Sequence, residues 1–180
     1  PQPVRDKGSV TGEHREFAGL HDARANLLEY LALRGEPDRA VAVLRMAEES
    51  HRKARSLDVQ NMRYPVGIAR TLRKQVRDVR ISDDTEQLVT ARRILDYVIQ
   101  TDPKLPAAYN ELGEIDLAQG RVQQARTSFE QAAKLGEGTE RKGSLYVYYC
   151  NLANAQTREP ASSASYQRAL DAAKRALELG

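Results

Sequence analysis

The chain has 180 residues, with 28 basic and 25 acidic side chains and a formal net charge of +3. So balanced a charge does not mark a nucleic-acid binder by composition, and no run of about 18 apolar residues is present to cross a membrane as a helix. Cys150 is the only cysteine, which excludes an intramolecular disulfide and leaves the redox compartment unreadable.

Few aromatics and many Ala, Leu, Arg and Glu favour helices. Residues 1–19 are polar, with Pro1, Pro3, Gly8 and Gly12, and residues 1–20 read as a tail or linker, with Phe17 or Leu20 able to cap the first helix. The opening Pro-Gln-Pro and the closing Ala-Leu-Glu-Leu-Gly are expected to mark an excised fragment, from which any targeting signal would be missing. Residues 21–54 read as two helices. Leu27, Leu28 and Leu31 lie on the first, which stops near Gly35, and Pro37 opens a second carrying Ala40, Leu44 and Ala47. In residues 55–105 a helix from Gln60 to about Val79 carries Val66, Ile68, Leu72, Val76 and Val79. A second helix carries Ala91, Leu95 and Val98, and Asp83 and Glu86 can form a capping box at its start. The stretch RDVRISDDTEQL between them is expected to form a long connection.

Residues 101–136 are the most regular. Pro106 suits a first helical turn, Tyr109, Leu112, Gly113 and Asp116 share one helical face, and Gln119-Gly120 stops the helix. Val122, Ala125, Phe129, Ala132 and Leu135 form the face of a second helix closed by Gly136. A turn of about three residues between them favours an antiparallel pair. After a polar linker, 137–145, a last pair is expected over Tyr146–Thr157 and Ser165–Leu179, joined by REPASS.

These positions carry a resemblance. Tyr109-x2-Leu112-Gly113, then Ala125-x3-Phe129-x2-Ala132, with Pro103 ending the preceding unit, resembles the tetratricopeptide repeat, a helix–turn–helix unit of about 34 residues. Tyr149-x2-Leu152-Ala153 and Ala169-x3-Ala173-x2-Ala176 repeat the pattern, as do Ala40, Leu44 and Ala47. Asp116 departs from it, standing where the family prefers Tyr. It reads first as a solvated edge carboxylate, with pairing to a neighbouring Arg as the alternative. Glu137 stands where the family prefers a closing Pro. The resemblance implies an all-α, right-handed superhelical solenoid of about four repeats and eight helices, approximately 21–54, 55–105, 106–139 and 146–180. Such a fold acts as a protein–protein interaction scaffold or adaptor within a larger protein or complex.

Nothing in the sequence points to catalysis, a cofactor or a metal. His14, His21 and His51 lack partners at metal-ligand spacing, and His51 lies among Arg52, Lys53 and Arg55. Cys150 has no nearby His and reads as an inert thiol. The resemblance implies that the first helix of each pair lines a concave groove, and the register places Asn26, Glu29, Asn110, Glu114, Asn151 and Asn154 there. An Asn amide can both donate to and accept from a peptide backbone; the plainer reading is that these asparagines solvate an open groove. Glu29, Glu111 and Glu114 argue against a basic clamp for acidic C-termini and favour neutral or basic peptides. Two alternatives stand beside this one. The terminal helix, with Leu170, Leu177 and Leu179, could pack on a second copy. From Arg45 to Arg80 ten Lys/Arg face four Asp/Glu, and Arg70, Arg73, Lys74 and Arg77 follow helical spacing as a basic ridge for acidic protein, nucleic acid or anionic membrane, or as a merely solvated face.

Overall fold

The computed structural model describes residues 12–77, 85–160 and 162–179. The fold is all-α, and the described residues hold eight helices and no strand. They are α1 (Gly12–Ala32), α2 (Pro37–Leu57), α3 (Arg63–Arg77), α4 (Thr85–Thr101), α5 (Pro106–Ala118), α6 (Val122–Gly136), α7 (Lys142–Thr157) and α8 (Ser163–Leu179). None is long and apolar enough to cross a membrane. Helices α1–α3 belong to one compact unit and α4–α8 to a second. The expected tail differs: Gly12–Leu20 are helical and form the first part of α1, because Ala18 reaches a small core with Ala54 and Tyr64. Residues 1–11, most of the long connection before α4, and Asp83 of the expected capping box lie outside the described residues.

In the first unit α1 packs against α2 and α2 against α3. Helix α1 buries small residues, Ala18, Ala25 and Ala32, together with Glu29. Gly67 on α3 lets α2 approach closely, since a Cβ there would sit 2.6 Å from the His51 ring. In the second unit each helix packs on the next, from α4 to α8. Phe129 of α6 is fully buried and lies over Gly113 of α5, where a Cβ would fall 2.7 Å from its ring. Leu152 and Ala155 of α7 and Ala172 of α8 complete that core.

The helix ends follow local chemistry. Pro occupies the first turn of both α2 and α5. Helix α5 ends in a Schellman motif: the Gly120 N–H donates to Leu117 O at 3.1 Å and the Arg121 N–H to Asp116 O at 2.8 Å. Gly120 has φ +73°, the left-handed conformation the motif requires. Helix α8 opens with a reciprocal capping box, in which the Ser165 N–H donates to Ser162 Oγ and the Ser162 N–H to Ser165 Oγ, each at 3.0 Å.

Candidate functional site

In the first unit, Asp22, Asn26 and Glu29 stand at i, i+4 and i+7 on one face of α1, so they line up along the helix. Glu29 is buried and is the hub of an ion-pair cluster. Its Oε1 accepts from Thr71 Oγ1 at 2.6 Å and from His51 Nε2 at 3.1 Å, and its Oε2 accepts from Arg70 Nε and Lys74 Nζ, both at 2.8 Å. A carboxylate offers about four lone-pair sites, so this one is fully occupied. Arg70 Nη2 also donates to Asn26 Oδ1 at 2.6 Å, and Asn26 Nδ2 donates to Asp22 Oδ2 at 3.1 Å. Asp22 Oδ1 lies 3.0 Å from His51 Nδ1, an ion-pair distance without hydrogen-bond alignment.

The electrostatics follow from this geometry. Burial opposes ionisation of Glu29, but the His51 hydrogen bond and the charges of Arg70 and Lys74 outweigh it and hold the carboxyl well below the usual carboxylate range. Burial likewise opposes charge on His51, yet Asp22 and Glu29 on either side of the ring raise its pKa above the ordinary histidine value. His51 thus sits between two carboxylates that favour its charged form.

Three sequence expectations change here. Asn26 and Glu29, read as groove residues, and Arg70 and Lys74, read as a separate ridge, are one another's partners. Glu29 has no lone pair left for a peptide, and the α3 cations face an internal carboxylate rather than an external one. Arg73 is buried, and the Arg77 side chain lies outside the described residues. His51, read as lacking partners at metal-ligand spacing and as lying among cations, has two carboxylates beside it. Its basic sequence neighbours turn elsewhere, as when Arg52 Nε donates to Glu48 at 2.9 Å. The signal for the cluster was the polar i, i+4, i+7 stripe of α1 running between buried alanines, but its partners lie 22 to 45 residues away.

In the second unit, Asp116 is not the solvated edge carboxylate of the first reading. It is buried and accepts from Arg92 of α4 and from Arg121 Nε, the latter at 2.8 Å. The Schellman motif usually carries an apolar contact between the residues that Asp116 and Arg121 occupy; here an ion pair takes its place. An open cleft of about 520 Å³ adjoins it, bounded by Arg92, Leu112, Asp116 and Thr127.

The remaining groove residues stand on α5 and α7, the first helices of two successive pairs. Asn151 Nδ2 donates to Asn110 Oδ1 at 2.9 Å, which brings together two asparagines 41 residues apart. Among the described residues, Asn110 Nδ2 and Asn151 Oδ1 have no partner. Glu114, one turn beyond Asn110, is half-buried, Glu111 is buried, and Asn154 is exposed. Cys150 is half-buried beside Asn151. The described residues contain no group of three or more His, Cys, Asp or Glu able to hold a metal ion.

No protein-family model matches the sequence, and no curated protein sequence matches it. Solved structures share the fold. A crystal structure of MamA, a tetratricopeptide-repeat protein, is 17% identical, covers 96% of this chain and 90% of its own, and has a TM-score of 0.52. MamA 41-end from Desulfovibrio magneticus RS-1 is 15% identical over 97% of both chains, with a TM-score of 0.51. BtubC (BKLC) from P. vanneervenii is 16% identical over 93% of this chain and 73% of its own, with a TM-score of 0.50. The chain thus has the helical-repeat fold of the tetratricopeptide type.

Proposed function

We propose that the protein is an interaction scaffold that holds an extended peptide of a partner protein on the face formed by α5 and α7. The Asn110–Asn151 hydrogen bond carries this reading. It sets two amides side by side from successive first helices, Asn110 buried and Asn151 half-buried, with one donor group and one acceptor that have no partner among the described residues. That is the pairing a peptide backbone needs, whatever its side chains. Asn154 extends the row on α7, and Glu114 favours neutral or basic peptides.

The same reading makes the chain a binder rather than a catalyst. His51, the histidine held by two carboxylates, is sealed between α1, α2 and α3, where no substrate can reach it. The α3 cations support an anion-binding reading less well than the sequence does, because Arg70 and Lys74 already neutralise Glu29.

The test is peptide selection from a random displayed library, followed by titration of the selected peptides. Asn110→Ala combined with Asn151→Ala should weaken binding about tenfold or more, equivalent to roughly 1.4 kcal/mol. The exposed Asn154→Ala should weaken it less and leave the fold intact by circular dichroism. Binding should also be nearly insensitive to salt, since few charges are neutralised. An unchanged Kd in the folded double variant overturns the proposal.

A further inference from the structure

Helix α1 is built inside out. Its buried face carries alanines and Glu29, whereas Phe17, Leu20, Leu27 and Leu31 are exposed. With Arg24 they fall at 17, 20, 24, 27 and 31, a 3-4-3-4 spacing that makes one continuous stripe. Helix α8 shows the same feature. Tyr166, Leu170 and Leu177 are exposed, and with half-buried Ala173 they follow a 4-3-4 spacing along one stripe. Leu179, in contrast, packs inward with Leu145 and Tyr148. Single exposed apolar residues are ordinary; two contiguous stripes at helix-packing spacing mark interaction surfaces.

The repeat register says what these stripes match. Aligned on the motif positions, Leu20, Leu27 and Leu31 of α1 correspond to Leu145, Leu152 and Gln156 of α7. The α7 residues are 4, 7 and 4% exposed, whereas the α1 residues are 66, 57 and 49% exposed. What covers the α7 stripe is α6: Val122 and Phe129 pack with Leu152, and Ala133 packs with Leu145. Those α6 residues correspond in turn to Tyr166, Ala173 and Leu177 of α8. Leu177 is 77% exposed where its counterpart Ala133 is 3% exposed. One chain therefore carries both halves of its own α6–α7 interface uncovered, the α6-like half on α8 and the α7-like half on α1.

We infer that a second copy of this chain is the occupant, with α8 of one copy seated on α1 of the next. Such an interface joins two different surfaces, so each added copy presents a fresh stripe. Assembly then proceeds to a ring or a filament rather than stopping at a symmetric dimer.

Sedimentation over a wide concentration range, with Leu27→Glu and Leu177→Glu variants, tests this. Both substitutions are on exposed residues, and circular dichroism checks that both variants fold. The wild-type mass should rise with concentration beyond the 20.1 kDa of one chain. Each variant alone should stay monomeric at concentrations where the wild type assembles. Mixed, they should give a 1:1 dimer and nothing larger, because one retains only α8 and the other only α1. A wild type that stays monomeric, a variant that still associates with itself, or a mixture that stays monomeric overturns the inference; in the first case the stripes belong to another protein or to residues outside those described. Peptide binding on α5 and α7 is unaffected by either substitution, so the two proposals fail separately.

Discussion

At the scale of single residues, the cluster around Glu29 makes stability depend on pH in a defined direction. The folded state raises the His51 pKa above its ordinary 6.5, so this group's contribution is complete below about pH 6.5 and is lost as pH rises through the folded value. Glu29 acts in the opposite sense. Its folded pKa lies below the ordinary 4.5, so its contribution is present above about pH 4.5 and is lost as pH falls. The two together stabilise the first unit most between those values. The wild-type melting temperature should therefore fall on going from about pH 6 to about pH 9, and His51→Gln should flatten that slope. Equal slopes in the two proteins would remove the cluster as a pH-linked element. None of this was legible locally. The residues that follow His51 in sequence, Arg52 and Lys53, are cations, and only the fold brings Asp22 and Glu29 to its two ring nitrogens.

At the scale of helices, most starts and stops were legible, because they depend on a few neighbouring residues. Pro106 and Pro37 open helices, and Gln119-Gly120 closes one. Gly120→Ala puts a Cβ on a left-handed residue at φ +73° and should cost about 1–2 kcal/mol. Urea unfolding checks this, and a loss below a few tenths would mean that the Schellman turn relaxes around the new side chain. The faces of α4, α5 and α6 were legible for a similar reason: three- and four-residue spacing puts Ala91, Leu95 and Val98, or Ala125, Phe129 and Ala132, on one buried side. Asp116 shows where that reasoning stops. Its place on the α5 face was evident, but its burial was not, because Arg92, which neutralises it, sits on another helix 24 residues earlier. Helix α1 is the other case. Phe17 and Leu20, read as tail residues able to cap it, and Leu27 and Leu31, placed on its apolar positions, all face outward, since the small residues of the opposite side fit the tight approach of α2.

At the scale of the whole chain, the division into α1–α3 and α4–α8 predicts that damage stays local. Phe129→Ala removes a fully buried ring and should cost about 3–5 kcal/mol. Glu29→Gln leaves His51, Arg70 and Lys74 without their shared charge and should cost a similar amount, about 3–5 kcal/mol. Hydrogen exchange should show the first loss in α5–α7 and the second in α1–α3; protection lost evenly across both units by either variant would mean that they unfold as one. The helical-repeat architecture was determined by the sequence alone, because periodicity, turn glycines and a repeated motif are local features that survive wide divergence. The partner of each charge was decided only by the tertiary structure, as was the choice of which apolar stripe is buried and which is left open. Ion pairs and helix faces meet across dozens of residues, and the energy of a charge depends on its burial and its neighbours in space rather than along the chain. That is why Arg70 and Lys74, an open ridge by spacing, turn out to hold Glu29, and why Asn110 finds Asn151.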